Sequence, residues 1–91
     1  MAKIEIYTKS WCPYSTRAKD LLDRKGVSYE EIDVTDDSFK EAEMVERASR
    51  QTVPQIFING HHLGGSDELL AADKSGRLDL LLSSQTEGEA A

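Results

Sequence analysis

The sequence carries one cysteine, Cys12, followed at once by Pro13. Proline favours the first position of a helix, so this pair reads as a helix start with Cys12 at the cap. Unpaired amide N–H groups and the positive end of the helix dipole then point at the sulfur, which favours the thiolate. Lys9 and Arg17, close in sequence, add positive charge. Thiolate is the nucleophile of thiol–disulfide exchange, so the chemistry on offer is attack on a disulfide sulfur. On position alone an inert, buried thiol acting as a small apolar residue is an equal reading.

Positioning such a thiol requires a strand before it and a helix after it. Lys3-Ile4-Glu5-Ile6-Tyr7 alternates polar and apolar residues with period two and reads as a strand. Ala18, Leu21 and Leu22 recur at helical spacing after Pro13, with Gly26 as the stop. Val27–Ile32 is a second, more polar strand, expected near a sheet edge. Ser38 and Glu41 have capping-box spacing, with Phe39, Ala42, Val45 and Ala48 as the apolar stripe of the helix that follows. Ser49–Thr52 ends it. Gln55–Ile58 is a third strand, Asn59-Gly60 a hairpin turn, and His61–Leu63 the return strand. Gly64-Gly65 breaks the chain. Ser66-Asp67-Glu68 then caps a helix with acidic residues in its first turn, and a short helix follows around Leu78–Leu82.

The order β-α-β-α-β-β-α, with a short final helix, predicts an α/β fold. It is a small mixed four-stranded sheet flanked by helices, with one parallel βαβ unit and one antiparallel hairpin. Ligands in such sheets bind beyond the carboxyl ends of strands, and Cys12 follows the first strand there.

The chain has 91 residues, 38% hydrophobic and 31% charged, with a net charge of −6. One domain over residues 1–82 is expected, with residues 83–91 as a disordered tail. A single cysteine excludes an intramolecular disulfide scaffold. The longest unbroken apolar run is Leu69–Ala72, far short of the roughly 20 residues of a membrane helix. The N-terminus has no apolar signal stretch, so a cytoplasmic protein without membrane contact is expected. Net acidity argues against nucleic-acid binding. His61, His62 and Cys12 are too few for a structural zinc site, so no metal is expected. The two histidines read as exposed strand residues, and Trp11 as packing on the helix end rather than as a platform for partners.

Trp11-Cys12-Pro13-Tyr14-Ser15 resembles the glutaredoxin active site, usually C-P-Y-C. Thr52-Val53-Pro54 and Gly64-Gly65-Ser66-Asp67 resemble the family's T-V-P and G-G-x-D elements, in the right order, and the likeness runs from about Lys3 to Leu82. It implies a thioredoxin-like fold and glutathione as cosubstrate. By resemblance Cys12 is the nucleophile and Pro54 a cis-proline facing it. Val53 pairs its backbone with glutathione, and Lys9 and Gln51 hold the glycine carboxylate. Tyr14 lines the groove beside Thr52. Gly65, Ser66 and Asp67 receive the γ-glutamyl end, where a helix N-terminus suits a carboxylate and Asp67 suits an ammonium. The bland alternatives are a solvated Lys9, a strand-starting Pro54 and an Asp67 that merely caps its helix.

Ser15 stands where the family usually has a second cysteine, either as a natural variant or as an engineered replacement; the dithiol-type C-P-Y context favours replacement. A hydroxyl forms no disulfide, so the implied activity is a monothiol one on protein–glutathione mixed disulfides, carried out by a monomer. Disulfide-containing proteins are the other implied partner class. The alternative is a dimer bridged by a [2Fe–2S] cluster, with one Cys12 from each chain and two glutathione thiols as ligands. Pro13 is expected to disfavour it. A third reading is an interaction domain with a dead site.

Overall fold

A computed structural model describes residues 2–83; the expected tail, apart from Ser83, lies outside the described residues. Strand β1 (Ile4–Thr8) leads into helix α1 (Pro13–Arg24), then β2 (Glu30–Asp33) and α2 (Ser38–Ala48). The hairpin β3 (Gln55–Ile58) and β4 (His61–Gly64) follows, then α3 (Ser66–Ser75) and α4 (Arg77–Ser83), so Ser83 closes the last helix. The sheet order is β2-β1-β3-β4. β1 and β2 are parallel, and β1–β3 and β3–β4 are antiparallel. The mixed sheet expected from the sequence is observed, with β2 at its edge.

Period-two alternation sorts the sheet into two faces. Ile4 and Ile6 of β1 and Ile56 and Ile58 of β3 pack with Ala18, Leu21 and Leu22 of α1 and Leu69, Ala72 and Leu78 of α3 and α4. Tyr7 and Phe57 face the other way and meet Met44 and Ala48 of α2, with Val34. The sheet is thus the middle layer of three. Among the described residues no helix is long and apolar enough to cross a membrane.

On the α2 side Arg47 ties helix to sheet. Its guanidinium lies 4.0 Å from the Phe57 ring centroid and donates to both Glu5 oxygens at 3.1 and 3.3 Å and to the Tyr7 hydroxyl at 2.8 Å. The Tyr7 O–H in turn donates to Glu43 at 2.6 Å. Burial first, and the Glu43 bond second, push the Tyr7 phenol above its ordinary range.

The Asn59-Gly60 turn has φ of 54° and 82°, both positive as a two-residue hairpin turn of the mirror-image type requires. Asn59 also closes β1 onto the hairpin, its Oδ1 accepting from Lys3 N–H at 2.8 Å.

Several sequence expectations need correction. Asp37, not Ser38, caps α2, its carboxylate accepting from Lys40 N–H at 3.0 Å. Asp and Ser are both good caps, but the carboxylate also meets the helix dipole with a full charge. Of the expected α2 stripe, Phe39 is 88% exposed and Ala42 is exposed, whereas Ala48 is buried and Val45 packs beside it, with Met44 as the further core residue. β2 begins at Glu30 rather than Val27, because the preceding residues lie beyond its pairing with β1. Gly65 rather than Ser66 is the cap of α3, and Glu68 reaches back to its N–H at 2.7 Å.

Candidate active site

Cys12 occupies the N-cap of α1 in extended conformation, with Pro13 as the first helical residue. A turn after β1 sets it there, the Cys12 N–H donating to the Lys9 carbonyl at 3.1 Å. The residue is only 6% exposed. Its thiol does not cap the helix; Sγ lies 3.7 Å from the Val53 carbonyl oxygen, across from the segment that enters β3. The Val53–Pro54 peptide is cis. Ser15, one turn into α1, is 1% exposed, and its Oγ accepts from Lys9 N–H at 3.4 Å.

Beside this thiol runs a groove of about 230 Å³. Tyr14 flanks it from α1, Thr52, Val53 and Pro54 line it from the segment before β3, and Gly65, Ser66 and Asp67 line it from the start of α3. Seven of the residues that the T-V-P and G-G-x-D resemblances and Tyr14 suggested are therefore brought together. Gln51 is exposed and lies outside that lining. Lys9 also lies outside it; its Nζ pairs with Glu41 at 3.0 Å and stands 5.7 Å from the Trp11 ring. Trp11 is 68% exposed, so the expectation that it packs on the helix end is corrected. Pro13 fixes the helix start and leaves the preceding ring outside it. Asp67 is the second residue of α3 and exposed, which removes the reading of it as a mere cap.

The sequence reading missed Arg50 and Glu68, which line the same groove and pair at 3.2 Å. Glu68 was legible in principle, since it stands three residues after Gly65, the spacing of a reach-back acceptor. The Gly65 N–H first, and Arg50 second, hold its carboxyl below the usual carboxylate range. Gly65 lets α3 approach the opposite wall, since a Cβ there would sit 3.1 Å from the Pro54 carbonyl oxygen. Among the described residues no group of three or more His, Cys, Asp or Glu is placed to hold a metal ion.

A lone cysteine at a helix cap, a cis-proline segment facing it and a helix start across a groove coincide with a known family pattern. The glutaredoxin family model matches residues 4–63. The chain belongs to the glutaredoxin family. It is similar to Glutaredoxin 3 of Escherichia coli K12, 54% identical over 90% of this chain and 99% of that protein. A glutaredoxin of Pseudomonas aeruginosa is 48% identical over 91% of this chain and 99% of its own. Among solved structures, Brucella melitensis glutaredoxin is 50% identical with a TM-score of 0.80, covering 90% of this chain and 89% of that one. A buckwheat glutaredoxin–glutathione complex is 29% identical with a TM-score of 0.82, covering 90% and 77%. This glutaredoxin has the thioredoxin-like fold and is a glutathione-dependent thiol–disulfide oxidoreductase.

Proposed function

We propose that this glutaredoxin removes glutathione from protein–glutathione mixed disulfides by a monothiol route. The Cys12 thiolate attacks the glutathionyl sulfur. A Cys12–glutathione disulfide forms, the protein–glutathione disulfide breaks, and the protein thiolate leaves and takes a proton. The thiolate of a second glutathione then attacks the sulfur of the bound one. Oxidised glutathione departs and the Cys12 thiolate returns, so the net exchange consumes one glutathione thiol and the mixed disulfide and yields the protein thiol and oxidised glutathione. Ser15 supplies no second sulfur, so no internal disulfide competes.

The observation that carries this reading is the position of Sγ, 3.7 Å from the carbonyl of Val53, a residue that also lines the groove. A tripeptide lying along that segment would pair with the Val53 backbone as an added strand does. Its cysteinyl sulfur would then fall at Sγ. Tyr14, Thr52 and Pro54 form the near wall. Its γ-glutamyl carboxylate would meet the N–H groups at the start of α3 around Gly65 and Ser66, and its ammonium would meet Asp67. Lys9 and Gln51 would take the glycine carboxylate at the far end. The relative solved as a glutathione complex supports the same ligand here. A cytoplasmic, monomeric enzyme fits this reading, since the reaction needs a compartment that supplies reduced glutathione.

Intact mass tests it. Reduced protein treated with oxidised glutathione should gain one glutathionyl group on Cys12 and lose it again in excess reduced glutathione. No gain on folded protein with a free thiol would sink the enzyme reading.

The Lys9–Glu41 pair gives a second expectation. For Lys9 to receive a substrate carboxylate it must give up Glu41, a half-exposed partner worth about 0–1 kcal/mol. Glu41→Gln should lower the KM for glutathione about twofold, within that range, with kcat unchanged. A raised KM would place the carboxylate elsewhere.

A further inference from the structure

We propose that Gln55 and His62 are positioning residues that hold the Thr52–Pro54 wall of the groove in the shape glutathione needs. The inference rests on the groove reading above and extends it to two residues that do not line the groove.

Gln55 is fully buried, at 0% exposure. A buried carboxamide must find partners for both its N–H groups and its oxygen. Both N–H groups go to one residue: Nε2 donates to the Thr52 carbonyl at 3.0 Å and to the Thr52 hydroxyl at 3.2 Å. A carbonyl can only accept, so the nitrogen side of the amide faces Thr52 and the oxygen side faces outward. There Oε1 meets His62 Nε2 at 2.6 Å. His62 Nε2 therefore carries the hydrogen, which both the neutral Nε2–H tautomer and the imidazolium provide. The contact survives titration of the ring, so this is a fixed clamp rather than a pH switch.

The ring of His62 is itself anchored. It lies opposite Phe57 in the β3–β4 register, with ring centroids 5.0 Å apart. Phe57 in turn is held by Tyr7 at 5.8 Å and Arg47 at 4.0 Å. The chain of contacts thus runs from the α2-side core through His62 and Gln55 to Thr52. Turning both Thr52 oxygens toward Gln55 fixes the residue just before Val53, whose carbonyl faces Cys12.

The test compares two disulfides. The Cys12 thiolate attacks oxidised glutathione and releases glutathione thiolate, or attacks bis(2-hydroxyethyl) disulfide and releases mercaptoethanol thiolate. Only the first ligand fills the groove. Gln55→Met should lower the second-order rate with oxidised glutathione about tenfold and leave the rate with hydroxyethyl disulfide within twofold, since placement by well-fixed groups acts on the bound ligand. His62→Phe keeps a ring on Phe57 and removes the N–H, at an exposed position of the edge strand β4. It should lower the glutathione rate about threefold, the loss expected when the Gln55 amide is freed to turn. The double variant should be no slower than Gln55→Met, because His62 acts through Gln55. Equal losses with both disulfides, no loss at all, or additive losses would each overturn the proposal. Wild-type protein that does not prefer oxidised glutathione would overturn the groove reading itself. A preference kept intact in Gln55→Met would overturn only the positioning role.

Discussion

Ser15→Cys should give the protein a reaction it lacks: reduction of a disulfide by two thiols of its own. Ser15 is the third residue of α1 and Cys12 its cap, so one turn separates them. Side chains three apart on a helix have Cβ atoms about 5–6 Å apart, and a disulfide needs about 3.5–4.5 Å, so closure needs only a small shift at the cap. Ser15 is buried, and its Oγ accepts from the Lys9 N–H at a long 3.4 Å. Losing that bond to a sulfur costs about 1 kcal/mol, which a folded domain tolerates. Oxidised Ser15→Cys protein should resist alkylation, and its glutathione adduct should fall at least about tenfold at steady state, because the new thiolate displaces glutathione by intramolecular exchange. A peptide with one disulfide should be reduced by the variant and not by the wild type. If the oxidised variant keeps two alkylatable thiols, no Cys12–residue 15 disulfide forms and the proposed role of Ser15 in blocking the dithiol route falls.

The parts of the fold written in local periodicity were legible in the sequence. The alternation of Lys3–Tyr7, the Pro13 start of α1 and the Asn59-Gly60 turn each state a local preference that tertiary packing did not overrule. The α2 stripe was legible in part: Val45 and Ala48 pack with the second core, while Phe39 and Ala42 are exposed and Met44 takes the buried place, since apolar residues at 39, 42, 44, 45 and 48 offer two overlapping stripes. The site's outline was legible because Cys12, Thr52–Pro54 and Gly65–Asp67 each sit at a junction of elements. Its supports were not. Gln55 and His62 meet across a hairpin with an irregular register between Ile56 and Phe57, so counting pairs back from the turn fails to bring them together. Lys9 and Glu41, or Arg50 and Glu68, are far apart in sequence and meet only through the three-layer packing.

Gly64→Ala should be the most damaging single change near the groove, costing about 3 kcal/mol of stability from backbone strain plus overpacking. Gly64 has φ of 131°, a conformation glycine adopts freely and alanine does not. A Cβ there would stand 2.7 Å from Glu68 Cγ and 2.8 Å from its Cβ. These atoms are the base of the side chain, not its flexible tip, and the carboxylate end is held by the Gly65 N–H at 2.7 Å and by Arg50 at 3.2 Å. That hold belongs to the ionised form. Because the folded carboxyl titrates below its unfolded value, its contribution is complete above the ordinary glutamate range and is lost as pH falls through the lowered value. At neutral pH, then, Glu68 cannot step aside without releasing Gly65, which shapes one side of the groove. Urea unfolding at pH 7 should show a lower midpoint with an unchanged slope. The KM for glutathione should rise together with the loss of stability. Glu68→Gly removes both obstructing carbons, so Gly64→Ala in that background should cost only the backbone share, about 1–2 kcal/mol, the helix cost of the added glycine cancelling in the comparison. Equal penalties in the two backgrounds would show that Glu68 is not the obstacle and that φ alone reserves the position for glycine.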